Sequence, residues 1–237
     1  VFQAAYESAW HHPGAAWAGA IALVVAVLLR RPALRGVLLV LAAEIALDAF
    51  FSAPFAPKLP GGLGTAVAIL FVILGDYRYF VLVEMARLAP SPSPSSSPSS
   101  ALGLGPLAAW LRALPWAFVV PLAQTAAIQL FPRTFADERR TYLVYELLFF
   151  ALALAVRVVA LPRRFAGAPD EMRAWAERLT HFEMVQYALW ALADVLILSG
   201  VTELGYLLRI VPNVAYYAGF VAFAWRSAPA RFCDRVD

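Results

Sequence analysis

Charge is what this chain has least of: 15% of its residues are Asp, Glu, Lys or Arg, against about 25% in an ordinary soluble domain. So little charge cannot cover the surface of a water-soluble fold of this length. Cysteine is nearly absent too. Cys233 stands alone, which excludes an intramolecular disulfide and a cysteine metal cluster. Lysine is reduced to Lys58, so no apolar stretch holds an amine able to form a Schiff base. His11, His12 and His181 lie at the ends of apolar stretches, outside any HExxH spacing. GxSxG, Walker and dinucleotide-glycine patterns are missing as well. These gaps predict no metal site and no enzyme, with an intramembrane lipid-modifying enzyme as the alternative that needs only one or two polar residues. The net charge of +3 comes from arginines at the ends of apolar blocks, so nucleic acid is not an expected partner.

What the chain has is hydrophobic sequence, at 62% of residues with a mean hydropathy of +0.70. The apolar residues arrive in blocks of about 18–25, the length of a helix that crosses a bilayer. They show no period-2 alternation, which argues against an outer-membrane barrel. The expected fold is all-α: a polytopic membrane protein of seven helices, near 14–30, 36–54, 63–88, 106–131, 141–161, 180–200 and 204–226. Pro115 and Pro121 should bend the fourth. The Ser/Pro-rich stretch from Pro90 to Ser100 reads as a tether.

Basic residues set the expected orientation. With the N-terminus outside, the inner loops and tail hold Arg30, Arg31, Arg35, Arg87, Arg112, Arg163, Arg164, Arg173, Arg178, Arg226, Arg231 and Arg235. Lys58, Arg133, Arg139 and Arg140 fall outside. That asymmetry predicts N-out and C-in. Arginine in place of lysine, with abundant Ala and Pro, suggests a GC-rich bacterial genome and hence a bacterial inner membrane. The lipid bilayer is the expected partner, together with an unidentified small solute; a homo-oligomer stays open.

A faint internal repeat runs through the chain. Arg30-Arg31-Pro32 at the end of the first block matches Leu161-Pro162-Arg163-Arg164 at the end of the fifth, and Asp48 in the second matches Asp194 in the sixth. Gly75-Asp76 with Tyr79-Phe80 in the third matches Pro212-Asn213 with Tyr216-Tyr217 in the seventh. The expected organisation is a three-helix repeat over 1–89, a linker over 90–105, a linker helix over 106–131, and a second three-helix repeat with a short tail over 132–237. Parallel repeats place binding sites at their interface near the midplane.

Ionisable groups at mid-depth cost about 2.5–3.5 kcal/mol each on insertion scales and face a bundle interior or cavity. Asp76 and Asn213, both near helix midpoints, are therefore the candidate solute ligands, with Tyr79, Tyr216, Tyr217 and Trp190 as aromatic neighbours. Glu44, Asp48, Glu146, Asp194 and Arg209 fall in the outer half and suggest a polar vestibule. Each has a plainer alternative: Asp76 locking the bundle through a neighbouring arginine, Asp194 and Arg209 forming a structural pair, the aromatics packing the core. Trp10, Trp17, Trp110, Trp116, Trp175 and Trp225 read as interfacial belt residues.

The three-plus-one-plus-three layout and the run Val211-Pro212-Asn213 resemble the PQ-loop and sugar-transporting SWEET superfamily. In that family paired midplane asparagines contact solute, which implies a role for Asn213 and for Asp76 as a substituted counterpart. No Pro-Gln dipeptide occurs in the chain. Asn213-Val-Ala-Tyr-Tyr-Ala-Gly219-Phe220, with Arg226-Ser227 beyond it, is similar to the last helix of microbial rhodopsins, as is Arg78-Tyr79. Tyr217 takes the position of the retinal lysine, so covalent retinal is excluded and no cofactor is expected. The resemblances imply a small-solute carrier or carrier-derived protein. The alternative is a non-transporting, lysine-less sensor or accessory subunit.

Overall fold

The computed structural model describes residues 1–6, 8, 32–51, 59–60, 62–89 and 105–232. The expected first span at 14–30, most of the Ser/Pro-rich linker, His11, His12, Trp10, Trp17 and Cys233 lie outside the described residues. Within them every regular element is helical. In chain order these are α1 (Phe2–Tyr6), α2 (Pro32–Phe51), α3 (Leu63–Leu88), α4 (Gly105–Ala117), α5 (Val119–Leu130) and α6 (Glu138–Ala155). Then come α7 (Leu161–Arg164), α8 (Asp170–Leu198), α9 (Thr202–Val214) and α10 (Phe220–Ser227).

Among the described residues four helical stretches are long and apolar enough to cross a membrane: Leu107–Leu130, Glu138–Arg164, Asp170–Leu198 and Thr202–Ser227. Their outward faces carry Leu111, Leu122, Leu130, Val158 and Val211, all more than half exposed. Water would not tolerate so continuous an apolar surface, and a helix satisfies its own backbone where no water can. The architecture is compatible with an integral membrane protein.

Three of those stretches are interrupted, and proline stands near each break. Pro121 has no N–H to give the Ala117 carbonyl, and the helix breaks at Phe118, between α4 and α5. Val156–Ala160 widens into a π turn just before Pro162. Ala215–Gly219 does the same just after Pro212, which lies inside α9. Widened turns of this kind re-aim side chains without ending a helix.

Helix α8 is the axis of the bundle, packing against α3, α6, α9 and α10, while α2 lies against α3 and α10. It starts ten residues before the expected span at 180. Met172, Trp175, Ala176 and Leu179 share one buried face of that extension, at the i, i+3, i+4, i+7 spacing of an amphipathic helix. Trp175 is fully buried and donates its indole N–H to the Ala224 carbonyl at 3.3 Å; it is a core residue and no belt residue. Gly200, at φ 88°, closes α8, with Val201 N–H donating to the Leu196 carbonyl at 2.9 Å, a left-handed cap that favours glycine. The short link makes α8 and α9 antiparallel neighbours, and at Gly205 a Cβ would stand 2.9 Å from the Ala193 carbonyl oxygen.

Candidate functional site

Among the described residues two groups of buried polar side chains lie inside the bundle, and a third, around Glu84, sits at one end of it. The first is central. Asp76 on α3 is 2% exposed, and its carboxylate accepts hydrogen bonds from Tyr187 on α8 at 2.5 Å and from Tyr145 on α6. One carboxylate thus ties three helices together. Tyr187 leans on Trp190, ring centroids 5.2 Å apart, and the Trp190 indole donates to Asn213 Oδ1 at 2.7 Å. Asn213 in turn donates from Nδ2 to the Tyr6 hydroxyl at 3.1 Å. Asp76 and Asn213 are therefore the two ends of one chain of contacts, Asp76–Tyr187–Trp190–Asn213.

Arg78, two residues beyond Asp76, points elsewhere, as the i, i+2 offset requires. Its guanidinium carbon lies 4.0 Å from the centre of the Tyr216 ring, a cation–π contact. It feels the charges of Glu44, Asp76 and Glu183 through space. Arg78 Nε and Nη1, Glu183 Oε1 and both carboxylate oxygens of Glu44 have no hydrogen-bond partner among the described residues. Asp48 is buried and acts electrostatically on both Glu44 and Tyr216. Gly75 lets this ring in: a Cβ there would lie 3.0 Å from Tyr216 Cε2 and Cζ, too close for an aromatic edge.

The second group lies one to two turns further out along α8 and α9. Arg209 forms an ion pair with Asp194 and reaches Glu146 Oε1 at 3.3 Å, and its Nε donates to the Tyr6 hydroxyl at 3.0 Å. Arg139 adds a second cation to Asp194 at 3.3 Å. At the opposite end of the bundle Glu84 binds Arg87 at 2.8 Å and Arg164 at 2.7 Å.

The candidates read from the sequence thus fall into separate places. Asp76, Asn213, Trp190 and Tyr216 share the central layer, and Tyr217 packs on Tyr216 with centroids 4.9 Å apart. Tyr79 is fully buried and joins α3 to α8 through the Thr180 hydroxyl at 2.8 Å. The five vestibule residues divide: Glu146, Asp194 and Arg209 form the outer group, whereas Glu44 and Asp48 belong beside Arg78 and Tyr216. Sequence reasoning met Arg78 through the Arg78-Tyr79 resemblance and passed over Tyr145, Glu183, Gln186 and Tyr187. Glu183, Gln186 and Tyr187 stand at i, i+3 and i+4, a shared helix face that could have flagged them. Starting the sixth span at 180 left Glu183 looking interfacial. No three His, Cys, Asp or Glu side chains among the described residues converge as a metal-ligand set. No protein family matches the chain, and no curated protein or solved structure matches it.

Proposed function

We infer that the chain is a membrane carrier for a small solute, or derives from one, with its binding layer at Asp76, Arg78 and Asn213. The observation that carries this reading is a difference in charge balance between the two polar groups. In the outer group Arg139 and Arg209 face Glu146 and Asp194, acid matched to base. In the central group Arg78 is, among the described residues, the one cation acting on Glu44, Asp76 and Glu183. Buried charge is held in place by pairing, so a surplus of acids at mid-membrane is poor structural material. It is chemistry suited to taking up a proton or the cationic group of a solute. The seven-helix, three-plus-one-plus-three plan with the N-terminus outside, and the likeness to SWEET-type carriers, belong to the same reading.

One observation favours the second reading, a non-transporting sensor or accessory subunit. Asp76 and Asn213 are both buried and both bonded to protein, as a fixed scaffold would have them. Uptake into proteoliposomes separates the two. Labelled amino acids, amines and sugars are offered in turn, with a trapped pH dye reporting proton entry. A carrier accumulates at least one of them, and Asp76→Asn lowers that uptake at least tenfold. Uptake unchanged in Asp76→Asn removes the proposed site, and no uptake of any class leaves the sensor reading.

A further inference from the structure

A cleft of about 660 Å³ runs along the outside of α8; its size is that of a ligand site. One wall is α8 from Ala174 to Leu189, and the other is formed by Arg157, Ala215 and Phe223. We propose that this cleft binds one anionic phospholipid of the leaflet on the arginine-rich side of the membrane.

Its two ends differ as the two ends of a lipid do. Arg157, Arg178 and His181 lie at one end, and Leu189 and Ala215 at the other, level with the Trp190–Tyr216 contact, with Phe182, Val185 and Phe223 between them. Arg157 gives one N–H to the Glu177 carbonyl at 3.4 Å, and Arg178 one to the Ser227 carbonyl at 3.1 Å. Neither guanidinium has a carboxylate partner among the described residues, so both forks keep donors for a phosphate. Glu177, the acid at the rim, is already held by Arg173 at 3.0 Å. Val185 is 45% exposed, an apolar surface on which an acyl chain can lie.

The length fits as well. Ala174 to Leu189 spans about 22 Å at 1.5 Å per residue, the thickness of one leaflet of a bilayer about 40–45 Å across with its headgroups. Between the two ends Gln186 lines the cleft. It is 2% exposed, and both its amide nitrogen and its amide oxygen lack a partner among the described residues. A primary amide buried at this depth and unbonded is costly. It sits about 7.5 Å along the axis beyond His181, below the phosphate, where the ester carbonyls of a glycerophospholipid run. A side-chain rotation that turns the amide into the cleft lets its N–H donate to such a carbonyl. Phosphate at the arginines, ester at Gln186 and chain on Leu189 and Ala215 beyond it together specify a phospholipid and not a free phosphate.

The test is native mass spectrometry of the delipidated protein in detergent, titrated with dioleoylphosphatidylglycerol, dioleoylphosphatidylcholine or inorganic phosphate. The expected result is one phosphatidylglycerol retained at least tenfold more tightly than phosphatidylcholine, with millimolar phosphate failing to displace it. Arg157→Ala with Arg178→Ala should abolish the preference, and Arg157→Lys with Arg178→Lys should keep most of it. Gln186→Leu should weaken both lipids about three- to tenfold, an ester contact being common to both. A thermal midpoint taken on each variant reports folding; if the double alanine variant does not fold, Arg178→Gln alone must still lower the preference. Arg112→Ala with Arg163→Ala, exposed arginines outside the cleft, should change nothing. Equal binding of the two lipids, displacement by phosphate, a preference that survives loss of both arginines, or an equal loss in the Arg112/Arg163 control would each overturn the proposal.

Discussion

Replacing Arg209 with methionine keeps the reach and apolar bulk of the side chain and removes the guanidinium. That group is set against Glu146 and Asp194, which are 4% and 0% exposed. Breaking a buried pair from one side costs about 3–5 kcal/mol, because the remaining charge keeps its desolvation penalty and loses its partner. Arg139 stays in place 3.3 Å from Asp194, so the lower end, about 3 kcal/mol, is expected. At about 2–4 °C per kcal/mol for a chain of this size, the unfolding midpoint should fall by about 6–12 °C. The measurement is thermal unfolding in lipid nanodiscs monitored by far-UV circular dichroism. Adding Glu146→Gln and Asp194→Asn to Arg209→Met neutralises the stranded acids and should recover at least half of the loss. A single-variant loss of about 0.5 kcal/mol, as for an ordinary surface position, would refute the reasoning. So would a triple variant no more stable than the single one.

Contacts of the same kind set other expectations. Gly205→Ala forces a Cβ against the Ala193 carbonyl oxygen and the Ile197 amide nitrogen, 2.9 and 3.0 Å away; backbone cannot yield, and about 1–3 kcal/mol should be lost in the same unfolding assay. Trp175→Ala should cost about 3–5 kcal/mol as a core truncation, whereas a loss under about 1 kcal/mol would restore the belt reading. Tyr145→Phe and Tyr187→Phe should each cost about 0.6–1.7 kcal/mol, and the double variant more than their sum, since Asp76 is then left with neither donor; strict additivity would contradict a shared acceptor. Trp190→Phe removes the bond to Asn213 and should raise maleimide labelling of an Ala191→Cys reporter, in a Cys233→Ser background, about three- to tenfold. Unchanged labelling would show that this seam does not open.

Helix length and apolar content were legible in the sequence because each apolar block obeys a local rule, the thickness of a bilayer. The spans expected at 106–131 and 204–226 lie within a residue or two of Leu107–Leu130 and Thr202–Ser227. The Asp194–Arg209 pair was legible too, since a short link obliges α8 and α9 to lie side by side. What could not be read was which helix faces which across the bundle. Tyr145 looks like any core tyrosine until α6 is seen against α3, where it meets Asp76. The inner extension of α8 escaped because Asp170, Glu171, Arg173, Glu177 and Arg178 suppress its hydropathy while Met172, Trp175 and Leu179 bury its other face. Periodicity detects such a segment, and a hydropathy window does not.

Whether the central layer can open depends on what must break. Swinging Asn213 away from both α8 and α1 breaks its bonds to Trp190 and Tyr6. At about 0.6–1.7 kcal/mol for each interhelical hydrogen bond in a membrane protein, that amounts to about 1–3.5 kcal/mol. A gap of this size leaves a minor state populated at the per cent level. Parting the outer group is another matter, since severing one buried ion pair alone costs about 3–5 kcal/mol. The cheaper motion keeps Thr202 to Arg209 clamped to α8 and moves only the helix beyond Ile210. Pro212 and the π turn Ala215–Gly219 lie just past that clamp, and both are places where a helix bends at low cost. Such a bend swings Tyr216 off Arg78 and uncovers the surplus acids of the central layer. The carrier reading needs that bend; the sensor reading needs Asn213 to stay where it is.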